Sequence, residues 1–255
     1  MMAFLQDIGV VAGLFALVLL ALETGFRAGR RVKADADPKA GAQIGAIQGA
    51  MLGLLGLLLG FSFAAAGSRF LERQDLIVAE ANAIGTSYLR ADLLDQPARS
   101  ELRAALQEYT SYRLQLSTRL RSGLGPETAA AFERQHARIW LAARTGVAAR
   151  PEFAEVVLPP INEVIDLHAV RMAAGKKHLP PPVMGLLIAC SVLAIAVIGY
   201  GSGTGGRRRA PLTVSLAVLI STALWITIDL DYPRAGLLQL SDEPLRALKF
   251  QETPP

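Results

Sequence analysis

His136, His168 and His178 are the side chains best suited to acid–base work or metal ligation. They share no short ligand spacing, and no His-Glu-x-x-His or cysteine cluster accompanies them. Their expected place is in packing or at the surface. Serine, histidine and aspartate are all present, yet no nucleophile elbow frames a serine. The run Gly201, Ser202, Gly203, Thr204, Gly205, Gly206 is glycine-rich, but no Walker lysine follows and apolar stretches flank it, so it reads as a linker. Asp229 and Asp231 close an apolar run, and calcium takes roughly six to eight oxygens, more than two carboxylates supply. They are expected to pair with Arg234 or a neighbouring basic loop. These residue types therefore predict no enzyme, no resident cofactor and no metal site.

Other polar residues sit where they could meet ions or helices. Glu80 and Asn82 follow an apolar run, and such residues either hydrogen-bond across helices or handle hydrated ions in a vestibule. Arg69 and Arg73 read as interfacial anchors whose long stems reach out of the apolar layer. Repeated around a ring of identical subunits, either could concentrate anions.

Four apolar runs must position these groups: 4–22, the uncharged stretch between Lys39 and Arg69, 183–200 after three prolines, and 212–228. Each comes close to or exceeds the ~20 residues that a bilayer core requires. The first lacks a basic n-region and a small-x-small cleavage site, so it reads as a retained helix rather than a signal peptide. With 52% hydrophobic residues and a mean hydropathy of +0.35, the composition fits a multi-pass membrane protein. The net charge of +4 is too small to imply nucleic acid, and no nucleic-acid-binding motif accompanies it. Arginine outnumbers lysine and alanine is abundant, which fits a bacterial source and hence the bacterial inner membrane.

The second run carries a ladder of small residues: Gly41, Gly45, Gly49, Gly53, Gly56, Gly60, Ala64 and Gly67, three or four apart. At 3.6 residues per turn they form one stripe. Glycine inside a helix costs roughly 0.5–1 kcal/mol against alanine, so a row of it predicts close backbone approach by a neighbouring helix. Helix-packing positions are thus assigned to Gly41, Gly45, Gly49, Gly56 and Gly60.

The expected fold is all-α and polytopic, with four transmembrane helices and a helical extramembrane region between the second and third. The boundaries are 1–68 for the first helix pair, 69–179 for the extramembrane region, 180–232 for the second pair and 233–255 for a short tail. Residues 23–40 and 201–210 read as short basic links. Ile77, Ala81, Ile84, Tyr88 and Ala91 recur every three or four residues, which predicts that the second membrane helix continues unbroken beyond Arg69 until Pro97 stops it near Asp95. Leu102, Leu106, Tyr109, Leu116 and Leu120 mark the next helix, ended by Gly123, Leu124, Gly125 and Pro126. Phe132, Ile139 and Trp140 lie on the apolar side of a third, and a last one is expected to break or kink at Pro159 and Pro160. The tail ends in Thr253, Pro254 and Pro255, which are expected to fray.

Gly60-Phe61, a seven-residue spacer and Arg69-Phe70-Leu71-Glu72 resemble the Gly-Phe, arginine, aromatic and acidic pattern of bestrophins. Glu80-Ala81-Asn82-Ala83-Ile84-Gly85-Thr86, Tyr88-Leu89-Arg90 and the closing Asp229-Leu230-Asp231-Tyr232-Pro233-Arg234-Ala235-Gly236 resemble the bacterial bestrophin-like family more closely, across nearly the whole chain. Bestrophins are homopentameric anion channels whose second helix lines the pore with apolar side chains four residues apart. Aligned on the Gly-Phe pair, Gly53, Leu57 and Phe61 take those pore-lining positions. Gly53 departs from the bulky pattern and would widen one level of the constriction. Animal bestrophins carry consecutive acidic residues near the end of the fourth span, and this chain does not.

The resemblance therefore implies a self-associating chain, pentameric by analogy, that passes small anions such as chloride. A membrane-anchored scaffold or sensor acting through 70–178 is the alternative. The resemblance also places the extramembrane helices in the cytoplasm. Basic residues are equally numerous on both sides, and the weight of short links in the positive-inside rule favours the links as the cytoplasmic face instead.

Overall fold

The computed structural model describes residues 2–32, 38–119, 126–206, 210–233 and 236–250. The chain forms α1 (Met2–Arg31), α2 (Pro38–Arg90), α3 (Ala98–Arg119), α4 (Pro126–Ala149), α5 (Ala154–Lys176), α6 (Pro181–Thr204), α7 (Ala210–Asp231) and the single-turn α8 (Glu243–Arg246). No strand occurs among the described residues. The fold is all-α, and four of its helices are long and apolar enough to cross a membrane. The apolar layers of these helices are the four runs read from sequence; α3, α4, α5 and the distal half of α2 lie outside them.

The helices sort into two compact units. A membrane unit comprises Met1–Phe70 and His178–Gln239, and a central unit comprises Leu71–Lys177 and Leu240–Pro255. The residues after 232 thus divide: those to Gln239 belong with the membrane helices and those from Leu240 with the central ones.

In the membrane unit, α1 packs closely on α6 through glycine. A methyl group at Gly25 would overlap the carbonyl of Ala196, and one at Gly29 that of Tyr200. Methyls at Gly199 and Gly203 would overlap the carbonyls of Leu22 and Phe26. Gly25-x-x-x-Gly29 and Gly199-x-x-x-Gly203 therefore bring the two backbones into contact, a small-residue interface that the sequence reading passed over. This contact corrects two expectations. Residues 23–31 are not a polar link but the end of α1, kept helical by the approach of α6. Residues 201–204 are not a linker but the last turn of α6. Gly206, at φ 67°, then turns the chain in the left-handed region that glycine tolerates best. Lys33 and Arg207–Arg209 of the expected basic links lie outside the described residues.

The core of this unit is Leu14, Val18, Leu55, Leu187, Ile195, Ala217 and Leu224, all buried. Leu55 brings α2 into it, and Gln48 Nε2 donates to the carbonyl of Val197 at 3.0 Å.

The central unit has its own core. The seam Ile77, Ala81, Ile84 and Tyr88 of α2, with Ala91 in the 3-10 turn that follows it, is buried as expected, against Leu102, Leu106 and Tyr109 of α3, Phe132 and Ile139 of α4, and Ile161 of α5. Trp140, expected on the apolar side of α4, is 37% exposed. The helix stop at Gly123 to Gly125, Leu120 and the tail residues Thr253 to Pro255 lie outside the described residues.

Instead of breaking at Pro159 and Pro160, α5 runs through both. Pro160 lacks the N–H that would bond to the carbonyl of Val156, and Arg90 Nη1 takes that carbonyl at 2.6 Å. The segment 240–250 packs on the same core through Leu240, Leu245, Leu248 and Phe250. Gln74 holds its start by a reciprocal pair: Gln74 Nε2 donates to Ser241 O at 3.0 Å, and Ser241 N donates to Gln74 Oε1 at 2.8 Å.

Candidate functional site: the exposed face of α2 and the polar clusters

Along its membrane half, α2 buries Leu55, Ser62 and Ala66. Turning 100° per residue, the helix places Leu57 roughly 200° around from Leu55, with Gly53 and Phe61 about 40° to either side of it. All three are exposed in the single chain, Leu57 at 55% and Phe61 at 68%. The glycine ladder lies beside them. A methyl at Gly41, Gly45, Gly49, Gly53, Gly56 or Gly60 would meet nothing within 4 Å. Among the described residues, then, no other helix of the same chain approaches the ladder; a glycine-mediated backbone contact is seen between α1 and α6. What α2 presents is a small-residue stripe bordered by two large apolar side chains. Such a surface can seat a second backbone, and in a ring it can form an apolar constriction that gates by dewetting.

Two acidic residues organise the end of α7. Asp229 accepts the backbone N–H groups of Leu237 and Leu238 at 3.0 and 2.8 Å. Gly236 presses so closely on this carboxylate that any side chain there would collide with it. Asp231 binds Arg69 Nε at 3.2 Å and accepts Leu179 N at 2.9 Å, just ahead of α6. His178 lies 3.4 Å from the same carboxylate and stacks on Tyr232 with ring centroids 4.2 Å apart. The closing motif thus works as a stitch. Arg234, the partner expected from sequence, lies outside the described residues. Arg69 does not reach outward as a bare cation, because Asp231 binds it.

Arg73 departs from its reading as a surface anchor. It is buried, and it donates to the carbonyls of Ala174 at 3.1 Å and Lys177 at 2.5 Å. Those carbonyls end α5, where a helix has free acceptors and the negative end of its dipole. The anchoring habit of arginine loses here to the need to satisfy a buried helix end.

Glu80 sits at the heart of the central unit, fully buried. Its Oε1 accepts the Tyr109 hydroxyl at 2.5 Å and Arg113 Nε at 2.9 Å, and its Oε2 pairs with Arg171. Burial alone would push the carboxyl up, but the guanidiniums of Arg113 and Arg171 with the Tyr109 and Arg113 hydrogen bonds hold it below its ordinary value. Burial pushes the Tyr109 phenol up, and Glu80 adds to this. Glu80 therefore acts as the cross-helix lock rather than as a vestibule residue, joining α2, α3 and α5. Asn82, by contrast, is exposed.

His136 and His168, far apart in sequence, lie 4.8 Å apart between ring centroids. Nothing in their spacing pointed to the pairing. Among the described residues no group of three or more histidine, cysteine or acidic side chains is placed to hold a metal ion.

No curated protein and no solved structure matches this chain. A family model described as the Bestrophin-like domain matches residues 11–245, nearly the full length. On that match the chain belongs to the bestrophin-like family.

Proposed function

We propose that the protein is one subunit of a homo-oligomeric channel that passes small anions such as chloride along a central axis, in the inner membrane of a bacterium. The observation that carries the reading is the two-sidedness of α2: Leu55, Ser62 and Ala66 are buried while Gly53, Leu57 and Phe61 are exposed on the far side. Adjoining faces share the work. Gly41, Gly45, Gly49, Gly56 and Gly60 admit the backbone of a neighbouring copy, and Leu57 and Phe61 supply apolar rings that dewet when narrow. Gly53 leaves a wider level between them and the other end. The choice of an anion rests on kinship with bestrophins, as does a ring of five copies; Arg69 gives it no direct support, being bound to Asp231. The reading assigns the chain no catalysis, cofactor or metal.

Chloride flux into liposomes carrying the pure protein tests the reading. Wild type should conduct, and Phe61→Ala should raise the flux several-fold by opening the narrowest apolar ring. Silent wild-type liposomes, or flux indifferent to both Phe61→Ala and Leu57→Ala, would overturn it. The separate core of the central unit favours the second reading, a scaffold or sensor acting through 70–178. Silent liposomes together with a partner bound by the full-length protein would support that alternative.

A further inference from the structure

We propose that the paired imidazoles of His136 and His168 form an acid-sensitive latch in the central unit. Neutral, they let α3, α4 and α5 close around Glu80; protonated, they drive those helices apart. The latch works whether or not the protein conducts ions.

The geometry is unfavourable to a second proton on either ring. The two rings meet edge to face, 4.8 Å apart at 74°. Phe132 lies 4.2 Å from the His168 ring, and Tyr109 lies 5.5 Å from the His136 ring. His136 Nε2 and His168 Nδ1 are shut away from solvent and have no hydrogen-bond partner among the described residues. An imidazolium carries an N–H on both nitrogens, so in every protonated state a charged ring presents at its buried nitrogen a donor that the closed site does not satisfy.

The surrounding charges are already unbalanced. Facing the pair are Glu80 from α2, Tyr109 and Arg113 from α3, and Arg171 from α5 beside His168 itself. The Arg113 guanidinium lies 4.9 Å over Phe132, the ring that also touches His168. Both oxygens of Glu80 are engaged, by Tyr109 and Arg113 on one and Arg171 on the other. One carboxylate therefore stands against two guanidiniums before either imidazole is charged. Glu108, on the exposed side of α3, is held by Gln135 and Arg138.

Burial first and Arg113 next hold both imidazoles below their ordinary 6.5, with His168 at about 4 and the pull of Glu80 too weak to restore them. An opened form, with ordinary imidazoles, binds protons that the closed form refuses. Stability of the closed form is therefore full above pH 6.5 and falls as pH drops from there towards 4. At pH 5 the shift towards the open form is roughly tenfold for a half-buried imidazole.

The chain has three histidines, so proton exchange at the imidazole C2 carbon, read by mass spectrometry on the full-length protein in detergent, titrates each one separately. His136 and His168 should titrate below 6.5, His168 lowest. Backbone hydrogen exchange in α3, α4 and α5, corrected for its intrinsic pH dependence, should rise about tenfold from pH 7.5 to pH 5. The rise should vanish in His136→Gln/His168→Gln and persist in His178→Gln. If the double variant does not fold, His168→Gln alone should halve the response or more. Either imidazole titrating at or above 6.5, helices whose exchange is flat down to pH 5, or an acid response unchanged by removing the pair would overturn the proposal.

Discussion

Glu80 is one carboxylate asked to satisfy two guanidiniums and a phenol, and removing its charge leaves both cations buried without a counterion. Breaking a buried pair in this way costs about 3–5 kcal/mol. Glu80→Gln should therefore lower the thermal midpoint of the detergent-solubilised protein far more than Tyr109→Phe, which removes one hydrogen bond to a charged group worth about 1.5–3 kcal/mol. The sign of the pH dependence follows from the same residue. Its carboxyl lies below 4.5 when folded, so its contribution is complete above pH 4.5 and is lost as pH falls through the lowered value. Melting across pH should show this loss beneath the histidine loss, which begins at 6.5. In sequence Glu80 was legible as a residue that hydrogen-bonds across helices, but its partners were not. Arg113 and Arg171 lie 33 and 91 residues away, and no period connects positions on different helices. Gly236 was equally silent until Asp229 was seen against it.

Among the elements, α2 was the most readable. The seam from Ile77 keeps the helical period beyond the apolar run, so an unbroken second helix was readable, although it ends at Arg90 rather than near Asp95. The ends of α1 and α6 were misread for one shared reason. Arginines at 27, 30 and 31 and the glycines at 201–206 have the composition of loops, and only the facing glycines on the other helix make them a packed interface. The two glycine sets make opposite predictions. Gly199→Leu drives a side chain into the carbonyl of Leu22 and should collapse the melting midpoint or prevent folding. At Gly49 an added Cβ meets nothing within 4 Å among the described residues, so Gly49→Leu should leave helicity and monomer stability intact. On the channel reading it should nevertheless abolish the oligomer seen by native mass spectrometry. An oligomer that survives Gly49→Leu and Gly56→Leu together would remove the ladder from the interface.

For the whole molecule, hydropathy sufficed to find four spans, because a bilayer demands length and apolarity whatever the packing. The division into units was harder to see, since the chain leaves the membrane unit at Phe70, rejoins it at His178 and leaves it again after Gln239. Which side holds the central unit is a labelling question. With Cys190→Ser as background and a cysteine at the exposed Gln115, a membrane-impermeant maleimide should react only after permeabilisation of intact cells, as the family resemblance implies. Labelling from outside would reverse the orientation and favour the charge rule. The α1–α6 contact also bears on how such a protein could move. Pressed carbonyl to glycine at four levels, these helices have no slack in which to slide past one another. By comparison the membrane half of α2 meets its neighbours through side chains such as Leu55 and Gln48. Along that half a shift of α2 needs only new side-chain rotamers, whereas its distal half is fixed by the Glu80 ion pairs and the buried seam.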